Sequence, residues 1–111
     1  MELWDQIRNE DWMMPTESQF ISDWPFRLWD MNKPWHTMGG SGAQGIGYNT
    51  PAALGAALAN KQHGRVSVAM VGDGDFNMAP GVLWTATHHQ IPILYLEIGR
   101  ASCRERVLRL V

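Results

Sequence analysis

The residues best suited to chemistry stand together in Gly72-Asp73-Gly74-Asp75, directly after the apolar run Val66–Val71. A buried strand that breaks at glycines and presents a carboxylate at its carboxyl end is where open α/β sheets receive ligands. Glycines at 72 and 74 let backbone N–H groups approach a phosphate closely. Asp73 adds a hard oxygen of the kind Mg²⁺ takes when it bridges phosphates with few protein ligands. The expected occupant is a Mg²⁺-bound diphosphate. Asp75 is a second carboxylate close by, and the ordinary fate of such a residue is an exposed turn aspartate.

A second glycine cluster precedes it, Gly39-Gly40-Ser-Gly42-Ala-Gln-Gly45-Ile-Gly47. Within it, Gly40 to Gly45 matches G-x-G-x-x-G, the dinucleotide fingerprint. The context does not suit that reading: Trp35-His36-Thr37 barely makes a strand, and positions 58 to 65 hold no acidic residue to meet a ribose. No G-x-x-x-x-G-K-[ST] occurs, which excludes a P-loop. Two readings therefore stand: a paired-segment diphosphate site, and a non-catalytic Rossmann-like module for a nucleotide or phosphate. A purely structural piece that binds nothing is a third.

The remaining candidates are weaker. His88 and His89 invite a metal reading, but neighbours on a helix point about 100° apart and no third ligand is at hand, so a solvent-facing or capping role is expected. His36 lies just before the glycine cluster, within reach of a substrate in an intact enzyme. Trp4, Trp12, Trp24, Trp29 and Trp35 crowd the first 35 residues. They read as a peripheral packing layer rather than a carbohydrate surface.

These residues need a scaffold, and the pattern implies an α/β one. The first 35 residues, broken by Pro15, Pro25 and Pro34, read as short helical turns and loops, with helices over Leu3–Met13 and Trp24–Met31. Thr50 is placed as an N-cap with Pro51 at the first helical position, leading a small-residue helix through Ala59 that ends by Gly64. Being apolar nearly all round, that helix should be buried. A strand over Arg65–Val71, a helix over Pro80–His89 and a strand over Ile91–Leu96 complete a βαβ unit with a parallel sheet. No internal repeat or low-complexity tract is found.

Composition bounds the function. The chain has 111 residues, 45% hydrophobic and 18% charged, which suits one small domain or part of a larger one. A net charge of -2 gives no basic footprint for nucleic acid. No apolar run approaches the roughly 20 residues that span a bilayer. The acidic start, Met1-Glu2-Leu3-Trp4-Asp5, lacks the zones of a signal peptide, so a cytoplasmic setting is expected. The single Cys103 cannot form an internal disulfide. Residues 97–111 carry four arginines against two glutamates, whereas residues 1–96 hold five basic and nine acidic side chains. The run from Ile98 to Val107 also resembles the translation of a DNA sequencing adapter, so residues 97–111 are read as a non-native tail.

Gly72-Asp73-Gly74 after an apolar strand, preceded by Gly42 to Pro51 and followed by Phe76-Asn77-Met78 and a helix, resembles the cofactor-binding domain of thiamine-diphosphate enzymes. The likeness is strongest to the acetolactate-synthase and benzoylformate-decarboxylase branch, and it covers about Trp24 to Leu96. It implies thiamine diphosphate and Mg²⁺ as cofactors, with Asp73 as a metal ligand and the strand-end residues Gly72, Gly74 and Asp75 against the diphosphate. Backbone N–H groups of Gly74 and Asp75 would make that contact. It further implies that Ile46 props the cofactor in its bent conformation, while the Gln44 carbonyl and the Ile46 N–H grip the aminopyrimidine edge. The family often has glycine where Gln44 stands, and Ile46 equally suits a core position.

The family's metal motif continues across one helix and one strand to an asparagine, an interval that lands near Gly99 and Arg100, inside the suspect tail. Its activating glutamate belongs to a separate amino-terminal domain. The resemblance thus implies a partial parallel-sheet, three-layer domain, with residues 1–37 as lead-in, 38–96 as the first half of the cofactor-binding domain and 97–111 as tail. The parent is expected to be a homodimeric or homotetrameric transferase or lyase acting on a 2-oxo acid, by carboligation or decarboxylation. The piece alone is expected to be inactive.

Overall fold

The structure is a computed structural model that describes residues 2–15, 24–39, 45–99 and the strand 105–110. Its elements are α1 (Glu2–Ile7), β1 (Trp12–Met13), α2 (Trp24–Leu28), α3 (Asn49–Lys61), β2 (Val66–Gly72), α4 (Asp73–Met78), α5 (Val82–His88), β3 (Ile93–Ile98) and β4 (Glu105–Leu110). The four strands form one sheet in the order β1-β2-β3-β4. β1 and β3 both run parallel to β2, with Trp12 opposite Val66 and Gly72 opposite Ile98. β4 pairs antiparallel with β3, Ile93 opposite Leu110. The parallel pairing expected of β2 and β3 is present, β1 joins it in the same direction, and the antiparallel β4 lies within residues 97–111, where no strand was expected.

Successive residues of β2 and β3 face opposite ways, and each face has its own covering. Ala69, Val71, Ile93 and Tyr95 meet Ala53, Leu54 and Ala57 of α3, Phe76 of α4 and Ala86 of α5. Val68, Met70 and Leu96 meet Trp4, Ile7, Trp12, Met14 and Trp29. The result is three layers, helices on sheet on an aromatic lid, as the sequence implied. The small residues of α3 matter here: alanines at 53 and 57 let the helix lie close on Ala69 and Val71.

The lid explains the tryptophans. Trp4 and Trp29 stack with ring centroids 5.3 Å apart, and Trp12 meets both edge-on at 5.4 and 5.5 Å. Such pairs each contribute about 0.5–1.5 kcal/mol beyond the area they bury. The expected helix over Leu3–Met13 stops at Ile7, and Trp12–Met13 leave it to pair with β2. The helix expected over Trp24–Met31 stops at Leu28.

The start of α3 differs from the expectation as well. Tyr48, not Thr50, is the capping residue, and it makes no side-chain cap bond. The Ala52 N–H donates to the Tyr48 carbonyl at 3.1 Å, so helical bonding begins two residues earlier. Pro51 then falls inside the first turn, where its missing N–H has no intrahelical partner to lose. Thr50 is fully buried, and its carbonyl accepts the Tyr95 hydroxyl at 2.8 Å. At the other end Gly64, with φ of +67°, supports the expected stop.

The helix expected over Pro80–His89 is present as α5, two residues shorter at its start, and a further short helix, α4, precedes it. α4 begins directly at Asp73, and α5 starts at Val82 after a break at Ala79, Pro80 and Gly81. Pro80 cannot continue a helix from α4, and it is followed by a residue without helical preference. β2 itself runs one residue beyond the expected strand, to Gly72, and β3 starts and ends two residues later than expected.

Candidate functional site

The carboxyl end of β2 delivers the chain straight into α4, so Gly72 is extended and serves as the cap residue while Asp73, Gly74 and Asp75 form the first helical turn. One oxygen of Asp73 accepts the Gly74 N–H at 2.9 Å, which fixes the side chain beside the turn. A Cβ built at Gly72 or Gly74 would meet nothing within 4 Å. The backbone here is open to a ligand on the side that a side chain would occupy.

Asp75 does not behave as an exposed turn residue. It is half-buried, and one carboxylate oxygen accepts the Gly47 N–H, a contact spanning 28 residues of sequence. Its other oxygen is enclosed with no hydrogen-bond partner among the described residues. Gly47 has φ of +93°, and a Cβ there would stand 2.9 Å from the Met78 Cβ. Glycine is required at this position twice over, by conformation and by closeness to α4.

These contacts bring together the two glycine segments that the sequence paired. The Gly45–Tyr48 turn, closed by the Tyr48 N–H on the Gly45 carbonyl at 3.2 Å, lies against α4. Ile46 at its tip is 63% exposed, so it is not a core residue of this chain. Met78 at 68% and Tyr48 at 40% leave further apolar surface on the same two segments. Gln44 lies outside the described residues, as do Gly40 and Gly42. The parts of the arrangement that sequence reasoning missed are the Asp75 carboxylate and Gly47. The available signal was the last glycine of the run, set one residue after Ile46.

Cations are placed elsewhere. Arg65 precedes the first residue of β2, where it pairs with Asp11 at 3.0 Å, donates to Asn60 at 2.7 Å and lies over the Trp35 ring at 4.1 Å. Lys61 donates to the His89 carbonyl. Two carboxylates and no nearby cation of β2 or α3 would repel a bare diphosphate, so the donor set calls for a divalent ion between them. Among the described residues no three His, Cys, Asp or Glu side chains converge. The fit is accordingly to a metal held by one carboxylate and by the ligand's own phosphates, as Mg²⁺ commonly is.

The histidines separate from this site. His36 is 6% exposed, stacked on Trp12 at 3.8 Å, with Nδ1 3.1 Å from the Asp30 carbonyl. Burial pushes its pKa below the usual value, with the Asp30 hydrogen bond opposing. It is part of the aromatic lid. His88 and His89 are exposed, and His88 stacks on Trp84 at 4.6 Å.

Residues 21–98 match the thiamine pyrophosphate enzyme C-terminal TPP-binding domain. The chain belongs to this family. It is 37% identical over 54 residues to benzoylformate decarboxylase of Pseudomonas aeruginosa, covering 49% of the chain and 10% of that protein. Over 78 residues it is 40% identical to the chloroplastic acetolactate synthase 2 of Brassica napus, covering 68% of the chain and 12% of that protein. The fold is similar to that of a Mycobacterium smegmatis protein assigned as thiamin diphosphate-dependent, with a TM-score of 0.72 and 30% identity. That likeness covers 89% of this chain and 19% of the other. The chain thus spans between a tenth and a fifth of its relatives. Membership favours thiamine diphosphate over a dinucleotide as the ligand of this domain.

Proposed function

We propose that this chain supplies the diphosphate end of a Mg²⁺-dependent thiamine diphosphate site in an enzyme that acts on 2-oxo acids, by carboligation or decarboxylation. The observation that carries the reading is the Gly47–Asp75 hydrogen bond, which sets the Ile46 turn against the strand end bearing Asp73. In this reading Asp73 holds the metal, and the Gly74 and Asp75 backbone and Gly72 border the diphosphate. Ile46 stands exposed where an apolar prop for the cofactor is needed. When bound, thiamine diphosphate supplies an electron sink for breaking or making the bond next to a carbonyl. The chain's own contribution is to orient it and to hold the metal that would offset the charge of its phosphates.

The names of the two sequence relatives, a decarboxylase and a synthase, support a lyase or transferase as the parent. The exposed Ile46, Tyr48 and Met78 support a homodimer or homotetramer in which another subunit covers this edge. The family match ends at Ile98, which supports reading the residues after it as a non-native tail that replaces the second metal ligand, and the chain alone as inactive. Among the described residues no helix is long and apolar enough to cross a membrane.

Calorimetric titration of thiamine diphosphate, with Mg²⁺ and with EDTA, tests the reading. Binding should require the metal and should weaken by more than roughly 100-fold in Asp73→Ala, exceeding the ~10–100-fold that loss of an outer-shell partner brings. Equal affinity in EDTA or in the variant would remove Asp73 as the metal ligand.

A further inference from the structure

We propose that the Asp75 carboxylate is a positioning residue: by accepting the Gly47 N–H it clamps the Gly45–Tyr48 turn to α4 and so sets where Ile46 stands relative to Asp73. The importance given to Ile46 rests on the cofactor reading above, whereas the clamp itself does not.

Three observations converge on it. The Asp75 side chain has withdrawn from solvent far enough to leave one oxygen enclosed and unpartnered, a placement that disfavours a carboxylate unless another contact requires it. Its other oxygen reaches the Gly47 N–H on a separate segment, and a charged acceptor makes this bond stronger than a neutral one. Gly47 in turn can come within reach only because it lacks a Cβ, which would collide with Met78. Among the described residues the turn carrying Ile46 is also closed by a backbone bond from Tyr48 to Gly45. With Ile46 pointing into open space, its own packing cannot hold it in place. Asp75 therefore acts through Gly47, at a distance from any reacting atom.

The turn is also fixed at its far side. It leads directly into α3, whose first turn is tied to β3 through the Tyr95 hydroxyl on the Thr50 carbonyl. With Thr50 anchored and Gly47 clamped, Ile46 is restrained as the immediate neighbour of the clamp. Pre-positioning of this kind lowers what a ligand must spend in ordering the site.

The test compares Asp75→Asn, which keeps an oxygen for Gly47, with Asp75→Ala, which does not, in the full chain. Amide hydrogen exchange at Gly47 is read without ligand, and thiamine diphosphate affinity is read by calorimetry with Mg²⁺. Asp75→Ala should speed Gly47 exchange at least tenfold and weaken the cofactor by roughly 10–100-fold, the range of an outer-shell partner. Asp75→Asn should keep both within about threefold, since a neutral acceptor still makes the bond. Asp75→Ser, whose hydroxyl is too short to reach Gly47, takes the place of the alanine variant if that one fails to fold. Unchanged Gly47 exchange in the alanine or serine variant overturns the clamp. So does an asparagine variant that protects Gly47 but binds as poorly as alanine, because charge and not position would then be responsible. If the wild-type chain binds no thiamine diphosphate while Asp75→Ala frees Gly47, the clamp stands and the cofactor reading falls.

Discussion

The two ends of β2 are built on opposite principles. At the amino end, Arg65 divides its guanidinium among Asp11, Asn60 and the face of Trp35, and Trp35 returns a hydrogen bond to Asp11 at 3.1 Å. At the carboxyl end the reverse holds: an enclosed carboxylate oxygen without a partner among the described residues, glycines open to the outside, and Ile46 and Met78 in solvent. One end has been closed by its own side chains, and the other is left for something else to complete. Stability and binding are thereby assigned to different ends of a single strand, and a substitution should disturb one without the other.

Trp12→Ala should break the closed end most severely. Trp12 is 2% exposed and touches Trp4, Trp29 and His36, so its loss should lower stability by about 3–5 kcal/mol, measured from the urea midpoint. A variant that loses little would mean the aromatic lid is not a stability element. Asp73→Ala is the matching change at the open end, with a large loss of cofactor affinity and a urea midpoint close to wild type.

Tyr95→Phe sits between the two and should have an intermediate effect. It removes the bond to the Thr50 carbonyl while keeping the ring against Phe76, at a cost of about 1 kcal/mol in denaturant unfolding. The smallest effect is a pH dependence at the lid. Burial lowers the His36 pKa below 6.5, so the unfolded chain binds the extra proton more readily than the folded one. Stability from this group is complete above about pH 6.5 and is lost as the pH falls from there towards the folded value. His36→Phe should flatten that part of the urea-midpoint profile, and an unchanged slope would assign it to another group.

The same contrast explains what could be read from the residues. β2 was legible because a run of apolar residues halted by Gly-Asp-Gly has few meanings, and α3 because its small residues imply close packing. β1 was not, since two residues carry no periodicity and the surrounding tryptophans suit a helix equally well. Thr50 misled because a good capping residue beside a proline is a local signal, whereas its actual fate was decided by Tyr95, 45 positions away. Asp75 was missed for the same reason: its partner lies 28 residues upstream, and an aspartate in a glycine turn looks solvated. Ile46 was identified only as far as two alternatives, and its exposure removes the core one. Local chemistry reveals where a site stands, while the contacts that hold it in shape run between distant segments.

The tryptophan lid has an optical consequence. Three indoles with centroids 5.3–5.5 Å apart, two stacked and one crossing them, are close enough to couple electronically. Their joint circular-dichroism signal should change whenever any one of the three leaves its place. Trp84, 66% exposed on α5, belongs to no such group and will emit with a solvent-shifted spectrum that the neighbouring His88 can quench. The lid trio and Trp84 therefore report on different parts of the chain, the aromatic layer and α5.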